Sequence, residues 1–246
     1  MGTSTVWKLR STLFTAPAFA IATILMACLS LTSSLWDRRG VAQHNIARAW
    51  SRMLLAFAFV RCTVVGAEKI DPTKHYVFVC NHASYMDTPA LLSSIPIQFR
   101  FFAKKGLFSI PFMGWHLHRA GHIPVHLDDA RASLRSLSAG AKMIRERNIS
   151  VLLFPEGGRV EHDMEPFKEG AAYIAIKAQA QVIPIGLIGT REILPMHHGM
   201  IRSGNVQVIF GDPIDTAGMT TKDRGALNQL LQDKVAHLAR QTVITT

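Results

Sequence analysis

Tyr76-Val77-Phe78-Val79-Cys80-Asn81-His82-Ala83-Ser84-Tyr85-Met86-Asp87 is the stretch on which the reading of this chain turns. Its first five residues are apolar and mostly β-branched or aromatic, over a length that suits a buried strand. The polar residues that follow end the run. His82 therefore falls in a loop at a strand's carboxyl end, where open α/β sheets place their ligands. Asp87 comes just before Thr88-Pro89, and proline is favoured at a helix start. A loop histidine and an aspartate at a helix start can face one another, whereas five residues apart within one helix they would diverge by about 140°. Asp87 or Thr88 could instead merely cap the helix, a reading that leaves His82 unexplained.

A second apolar run, Ile149 to Phe154, closes on Phe154-Pro155-Glu156-Gly157-Gly158-Arg159. Gly157 and Gly158 let the backbone approach a bound group closely, and Arg159 can grip a phosphate with two parallel hydrogen bonds. Alone, this is equally a structural turn with a surface arginine. Taken together, the two segments supply a base, a carboxylate to steer it and a cation for an anion. An alcohol hydroxyl is a poor nucleophile at neutral pH, so for attack on an acyl carbonyl a neutral imidazole must take its proton. A carboxylate on the other ring nitrogen fixes the tautomer. Ser84 as nucleophile is the weaker reading, since no G-x-S-x-G elbow surrounds it.

Further strands are expected at Phe99 to Phe102, Ile123 to Val125, Val182 to Ile188 and Val206 to Phe210. Helices are expected at Asp129 to Glu146, Lys168 to Gln179 and Thr221 to Arg240. The alternation predicts an α/β fold with a mixed, mostly parallel sheet flanked by helices.

These residues resemble the glycerolipid acyltransferases that make phosphatidic acid from 1-acyl-glycerol-3-phosphate. Asn81-His82 and Asp87 match the family's N-H-x-x-x-x-D. Lys104-Lys105-Gly106-Leu107-Phe108, continuing to Pro111 and Gly114, is similar to the family's acceptor-binding block. Phe154 to Arg159 resembles F-P-E-G-T-R, and Val182 to Ile185 a pocket-lining strand. The likeness runs from about Arg61 to Asp215. It implies His82 as base, Asp87 as its orienting partner, Lys105 and Arg159 on the acceptor phosphate, Glu156 shaping the pocket or meeting the glycerol, and Gly157 among the substrate-binding residues. It implies an acyl-CoA or acyl-carrier-protein donor, a lysophosphatidate acceptor, transfer to the sn-2 hydroxyl, and no metal or redox cofactor. Gly158 stands where the family usually has Thr, and Val160 where Ser or Thr is common. His122-Ile123-Pro124-Val125 follows Gly121 where many members carry Asp-Arg. These departures bear on the acceptor, so another lysolipid such as a lyso-ornithine lipid is the alternative substrate. A non-catalytic lipid-binding protein is the alternative from a different class.

The chain of 246 residues has a formal net charge of +10, unevenly spread. Residues 1–61 hold Lys8, Arg10, Arg38, Arg39, Arg48, Arg52 and Arg61 against Asp37 alone. Basic charge flanking an apolar run points to anionic lipid headgroups, and no nucleic-acid motif accompanies it. Ser11 to Trp36 carries no charge and is long enough to cross a bilayer, for which about 20 apolar residues suffice. Val41 to Val60 sets Ile46, Trp50, Met53, Leu54 and Phe57 at helical spacing, with His44, Arg48 and Arg52 among the polar positions. That pattern suits a helix lying in a membrane interface, or a core helix. The division expected is 1–60 as a membrane-anchoring helical unit and 61–246 as the acyltransferase unit. Lys8 and Arg10 before an apolar run, with Leu25-Met26-Ala27-Cys28, also suit a cleaved signal, but the apolar run continues past Cys28. A membrane location with the site facing the cytoplasm is expected, because acyl thioesters are cytoplasmic. Cys28, Cys62 and Cys80 lack C-x-x-C spacing and suggest neither disulfides nor zinc. The histidines at 116, 118, 122, 126, 197 and 198 match no ligand motif, and most are expected at the surface or in the pocket without catalytic duty.

Overall fold

The computed structural model describes residues 2–126, 129–161 and 163–241. Helix α1 (Gly2–Arg10) runs through a π-turn at Ser11–Thr15 into α2 (Ala16–Ser33), and α3 (Val41–Phe57) folds back against it. Then come β1 (Val60–Val65), β2 (Val77–Cys80), α4 (Asp87–Ser94), β3 (Phe99–Lys104), α5 (Met113–Arg119) and β4 (Ile123–Val125). The chain continues with α6 (Ala130–Arg147), β5 (Ser150–Leu153), α7 (Gly170–Ala178), β6 (Val182–Ile188), α8 (Thr190–Ile193), β7 (Gly204–Phe210) and α9 (Arg224–Arg240).

The seven strands form one sheet in the order β1-β7-β6-β2-β5-β3-β4. Every pairing is parallel except β6 with β7, so the mixed, mostly parallel sheet read from the sequence is what the chain builds. Strands β2 and β5 are buried on both faces, as parallel strands between helical layers must be. One apolar cluster (Phe78, Leu91, Ile95, Phe99, Leu152, Ile183) fills the side under α3 and α4. The other (Val77, Val79, Val151, Ile174, Val182, Leu231) lies under α6, α7 and α9. Central β2 has β5 on one side and β6 on the other, which brings the loops after all three to one carboxyl edge.

Helix α3 is packed rather than peeled away. Leu54 and Leu55 are buried, and α3 lies against α2 and α4. His44, expected among outward polar positions, is instead on the buried face with Gln43 and Ser51. Arg100 of β3 shares this region and is 1% exposed. Its guanidinium donates to the carbonyls of Phe99, Arg39 and Gly40 at 2.9–3.0 Å and to Gln98 Oε1 at 3.1 Å. This pins the α2–α3 turn to the sheet. Gly40, at φ +74, is required there, because a Cβ would come within 2.7 Å of the Ala120 carbonyl.

His116 and His122 join His44 around Arg100, so two of the histidines expected at the surface or pocket belong to an internal polar layer. Ser30 Oγ lies 2.6 Å from His116 Nδ1, and the Phe101 N–H donates to His122 Nδ1 at 2.9 Å. Burial, then the Arg100 charge, lowers His44 to about 3 and His116 to about 4, and burial with neighbouring His116 and Arg100 depresses His122. The unfolded chain takes up protons below about pH 6.5 while the folded chain does not, so stability is full above that pH and is lost as pH falls toward 4. For His116 alone the loss should reach about 2 kcal/mol by pH 5. Urea midpoints at pH 7 and pH 5 should show a clear fall. A flat midpoint would mean these rings accept protons within the fold.

Candidate functional site

His82 follows β2 and Asp87 opens α4, and the short loop between them turns the two side chains together. Nδ1 of His82 lies 2.6 Å from Asp87 Oδ2. The same carboxylate oxygen accepts the Ala83 and Ser84 backbone N–H groups at 2.7 and 2.9 Å. Asp87 is fully buried, and its Oδ1 has no hydrogen-bond partner among the described residues. An oxygen already accepting two N–H groups calls for a donor from the ring, so the proton sits on Nδ1 and Nε2 is left as acceptor. The imidazole stacks on Phe154 at 4.0 Å and 15° between planes, and its side chain is 18% exposed. Phe154 therefore sets the ring's plane while Asp87 sets its rotation.

The second loop is tied to the first by Glu156. Its Oε1 accepts the His82 N–H at 2.7 Å and its Oε2 accepts the Glu165 N–H at 3.1 Å. Val160 returns a bond, its N–H donating to the His82 carbonyl at 3.0 Å. Both Glu156 oxygens are thus engaged with backbone and the residue is 4% exposed. It braces the two loops against one another. Burial raises its pKa, offset in part by those two N–H donors.

Gly157, at φ +83, closes a turn in which its N–H reaches the Phe154 carbonyl at 3.0 Å. A Cβ on it would collide with Lys168 Nζ, while one on Gly158 would meet open space. Gly157→Ala should therefore cost about 1–2 kcal/mol of backbone strain and misplace Lys168, whereas Gly158→Ala should be nearly neutral. Paired thermal melts check this, and equal losses would contradict the assignment.

Arg159 lays its guanidinium over the Tyr85 ring, 3.6 Å from the centroid. The planar fork is thereby held at the mouth of the two loops. Lys105 is exposed at the end of β3, on the same carboxyl edge, in the 3-10 turn Lys105–Ser109. Ser84 is sealed off. It is fully buried, with Oγ donating to the Leu194 carbonyl at 2.8 Å and accepting the Met86 N–H at 3.1 Å, so it is a structural link and not a nucleophile. Asn81 clamps the next strand through both halves of its amide, donating to the Leu187 carbonyl at 2.9 Å and accepting the Leu187 N–H at 2.8 Å. Sequence reasoning did not assign the roles of Asn81, Phe154 and Tyr85. The only available signal was that they flank His82 and Glu156. Among the described residues no group of three or more His, Cys, Asp or Glu side chains could hold a metal.

A family profile described as acyltransferase matches residues 61–188, just over half of the chain and the span that holds both loops. The chain belongs to this family. A 1-acyl-sn-glycerol-3-phosphate acyltransferase of Chlamydomonas reinhardtii is 32% identical over 82% of the chain and 62% of its own length. The chloroplastic enzyme of the same name from Arabidopsis thaliana is 32% identical over 84% of the chain and 59% of its length. The human alpha form is 27% identical over 87% and 75%. The chain thus spans about three fifths of the algal and plant relatives. The crystal structure of the 1-acyl-sn-glycerophosphate acyltransferase PlsC from Thermotoga maritima superposes with a TM-score of 0.79, covering 96% of this chain and 99% of that one at 23% identity. That likeness establishes that the two share a fold.

Proposed function

We propose that this family member transfers a fatty acyl group from a thioester donor, acyl-CoA or acyl carrier protein, to the sn-2 hydroxyl of 1-acyl-glycerol-3-phosphate, giving phosphatidic acid for phospholipid synthesis. The observation that carries the reading is the His82–Asp87 pair at 2.6 Å with Nε2 left to accept. The acceptor hydroxyl gives its proton to Nε2 as its oxygen attacks the thioester carbonyl. Asp87 stabilises the imidazolium that results. The tetrahedral intermediate collapses, the C–S bond breaks, and the imidazolium returns the proton to the departing thiolate. Proton and electron pairs balance with no cofactor. Arg159, with Lys105 on the same edge, holds the acceptor's phosphate, while Glu156 and Gly157 fix the loop that presents Arg159.

Residues 1–60 act in this reading as the membrane-anchoring unit and 61–246 as the acyltransferase unit, with the site on the cytoplasmic side. The helix Thr5–Ser33 is long and apolar enough to cross a membrane. Ile21, Ile24, Leu25 and Leu29 are exposed along it. Thioester donors in the cytoplasm favour that orientation.

Gly158, where the family usually has Thr, keeps another lysolipid as the alternative acceptor. Purified protein offered lysophosphatidate, a lyso-ornithine lipid and a phosphate-free monoacylglycerol, each with both donors, distinguishes the readings. Transfer confined to lysophosphatidate supports the proposal, and binding without any transfer would leave a lipid-binding protein.

Arg159→Lys keeps the charge but loses the paired hydrogen bonds and the flat stacking on Tyr85. The expected result is an acceptor KM raised about tenfold, from roughly 1.4 kcal/mol of lost binding, with the donor KM little changed. Equal losses on acceptors with and without phosphate would make Arg159 structural.

A further inference from the structure

Between β3 and α5 the chain turns apolar side chains away from the core. Leu107, Ile110, Phe112, Met113 and Trp115 are all exposed, Phe112 by 57% and Trp115 by 55%. Their outward aim is built into the backbone. Phe112 is held at φ +62, a conformation that costs a bulky residue on the order of 1–3 kcal/mol unless its surroundings impose it. Next to it the Gly114 N–H donates to the Ile110 carbonyl at 2.7 Å, and a Cβ on Gly114 would collide with the Phe108 carbonyl. The Phe112 and Trp115 rings pack edge to face at 5.1 Å, forming an aromatic knuckle. Apolar patches fixed outward in this way mark an interaction surface.

Two observations say what covers it. The first is continuity: α5 rests on α2, with His116 bound to Ser30. The knuckle therefore adjoins the end of the apolar helix, where Leu29 is 55%, Leu35 75% and Trp36 70% exposed. The second is charge: residues 88–127 contain no Asp or Glu. Lys104, Lys105 and Arg119 are exposed around the knuckle, and Arg38 and Arg39 are exposed on the α2–α3 turn. Aromatic rings rimmed by lysine and arginine fit the headgroup boundary of an anionic bilayer.

We propose that Leu107–Trp115 is a second membrane foot, which seats Phe112 and Trp115 in the interface of an anionic bilayer beside α2. With α2 alone, the sheet could swing about a single stalk. With the foot engaged, the carboxyl edge bearing Lys105 and the two catalytic loops is held against the lipid surface. The inference needs the N-terminal anchor but not the acceptor assignment.

The test reads Trp115 directly. The natural chain and Trp115→Phe are reconstituted in phosphatidylcholine–phosphatidylglycerol vesicles whose acyl chains carry bromine near the headgroup end, and the difference emission isolates Trp115. A Trp36→Phe pair reports the anchor in the same way. The expected result is a blue-shifted Trp115 signal that is quenched by bromolipid and shielded from aqueous iodide. Quenching by iodide and not by bromine, with Trp36 quenched by lipid, overturns the foot and leaves the anchor standing. Protection of Trp115 from both quenchers, varying with protein-to-lipid ratio, overturns it in favour of a second copy of the chain. Neither tryptophan meeting lipid removes foot and anchor together. As an independent readout, Phe112→Ser with Trp115→Ser should weaken partitioning onto these vesicles roughly tenfold or more, given the apolar area removed. Unchanged partitioning of a folded double variant counts against the proposal.

Discussion

His82→Ala slows acyl transfer by roughly 10²-fold or more, the scale of a lost general base, while the fold and vesicle binding persist. The reason for that separation is structural. The His82 backbone, not its ring, carries the links to Glu156 and Val160, so removing the imidazole leaves both loops tied. Asp87→Asn is the more informative partner. Asp87 Oδ2 accepts from the Ala83 and Ser84 backbone as well as from the ring. An asparagine can keep its oxygen toward the two N–H groups, but it is a weaker acceptor for the ring proton. It can also turn its NH2 toward Nδ1 and so favour the tautomer with hydrogen on Nε2, which cannot accept a proton. Asp87→Asn should therefore lower kcat severely and cost stability too, because the side chain is fully buried. Initial rates at saturating donor and acceptor, with thermal melts of both variants, settle the matter. Near-normal turnover in His82→Ala would remove the mechanism.

Much of this was legible in the chain because the central strands are short apolar runs ended sharply by polar loops. Tyr76 to Cys80 and Ile149 to Phe154 could be read as buried parallel strands from composition alone. The loops after them inherit a position from the fold class, since neighbouring parallel strands share a carboxyl edge. Strand β1 was not legible. Val60–Val65 is an edge strand with Arg61 and Thr63 within it, and it follows α3 so closely that helical spacing runs into its first residue. The polar layer was hidden for a different reason. His44, Arg100 and His116 come from three separate elements and His122 from the loop before β4, and no local spacing reports that they meet. The brace has the same origin, since Glu156 lies 74 residues from the N–H it accepts.

That brace carries the second large effect. Glu156→Gln preserves shape and removes the charge, so one of the two backbone N–H groups it now satisfies must face an NH2 group instead of an oxygen. A buried donor stripped of a charged acceptor costs about 1.5–3 kcal/mol. If the His82 N–H is the one abandoned, the loop shifts and carries Nε2 away from the acceptor hydroxyl. If the Glu165 N–H is abandoned, the segment leading to Phe167 and Lys168 loosens over Gly157. The first displaces the base, the second the wall near Arg159. Both routes should lower kcat/KM by roughly 10- to 100-fold, but they differ in where the loss falls. A fall in kcat with acceptor KM held points to His82, and a rise in acceptor KM with kcat held points to the Arg159 side. The shorter bond, 2.7 Å to His82 against 3.1 Å to Glu165, belongs to the element that must be held most rigidly, so the glutamine oxygen should stay with His82 and the KM effect should dominate. Full steady-state kinetics of Glu156→Gln, with Glu156→Ala as the variant that abandons both bonds, checks this. Wild-type values for both parameters in the alanine variant would show that the two motif loops hold together without the bridge.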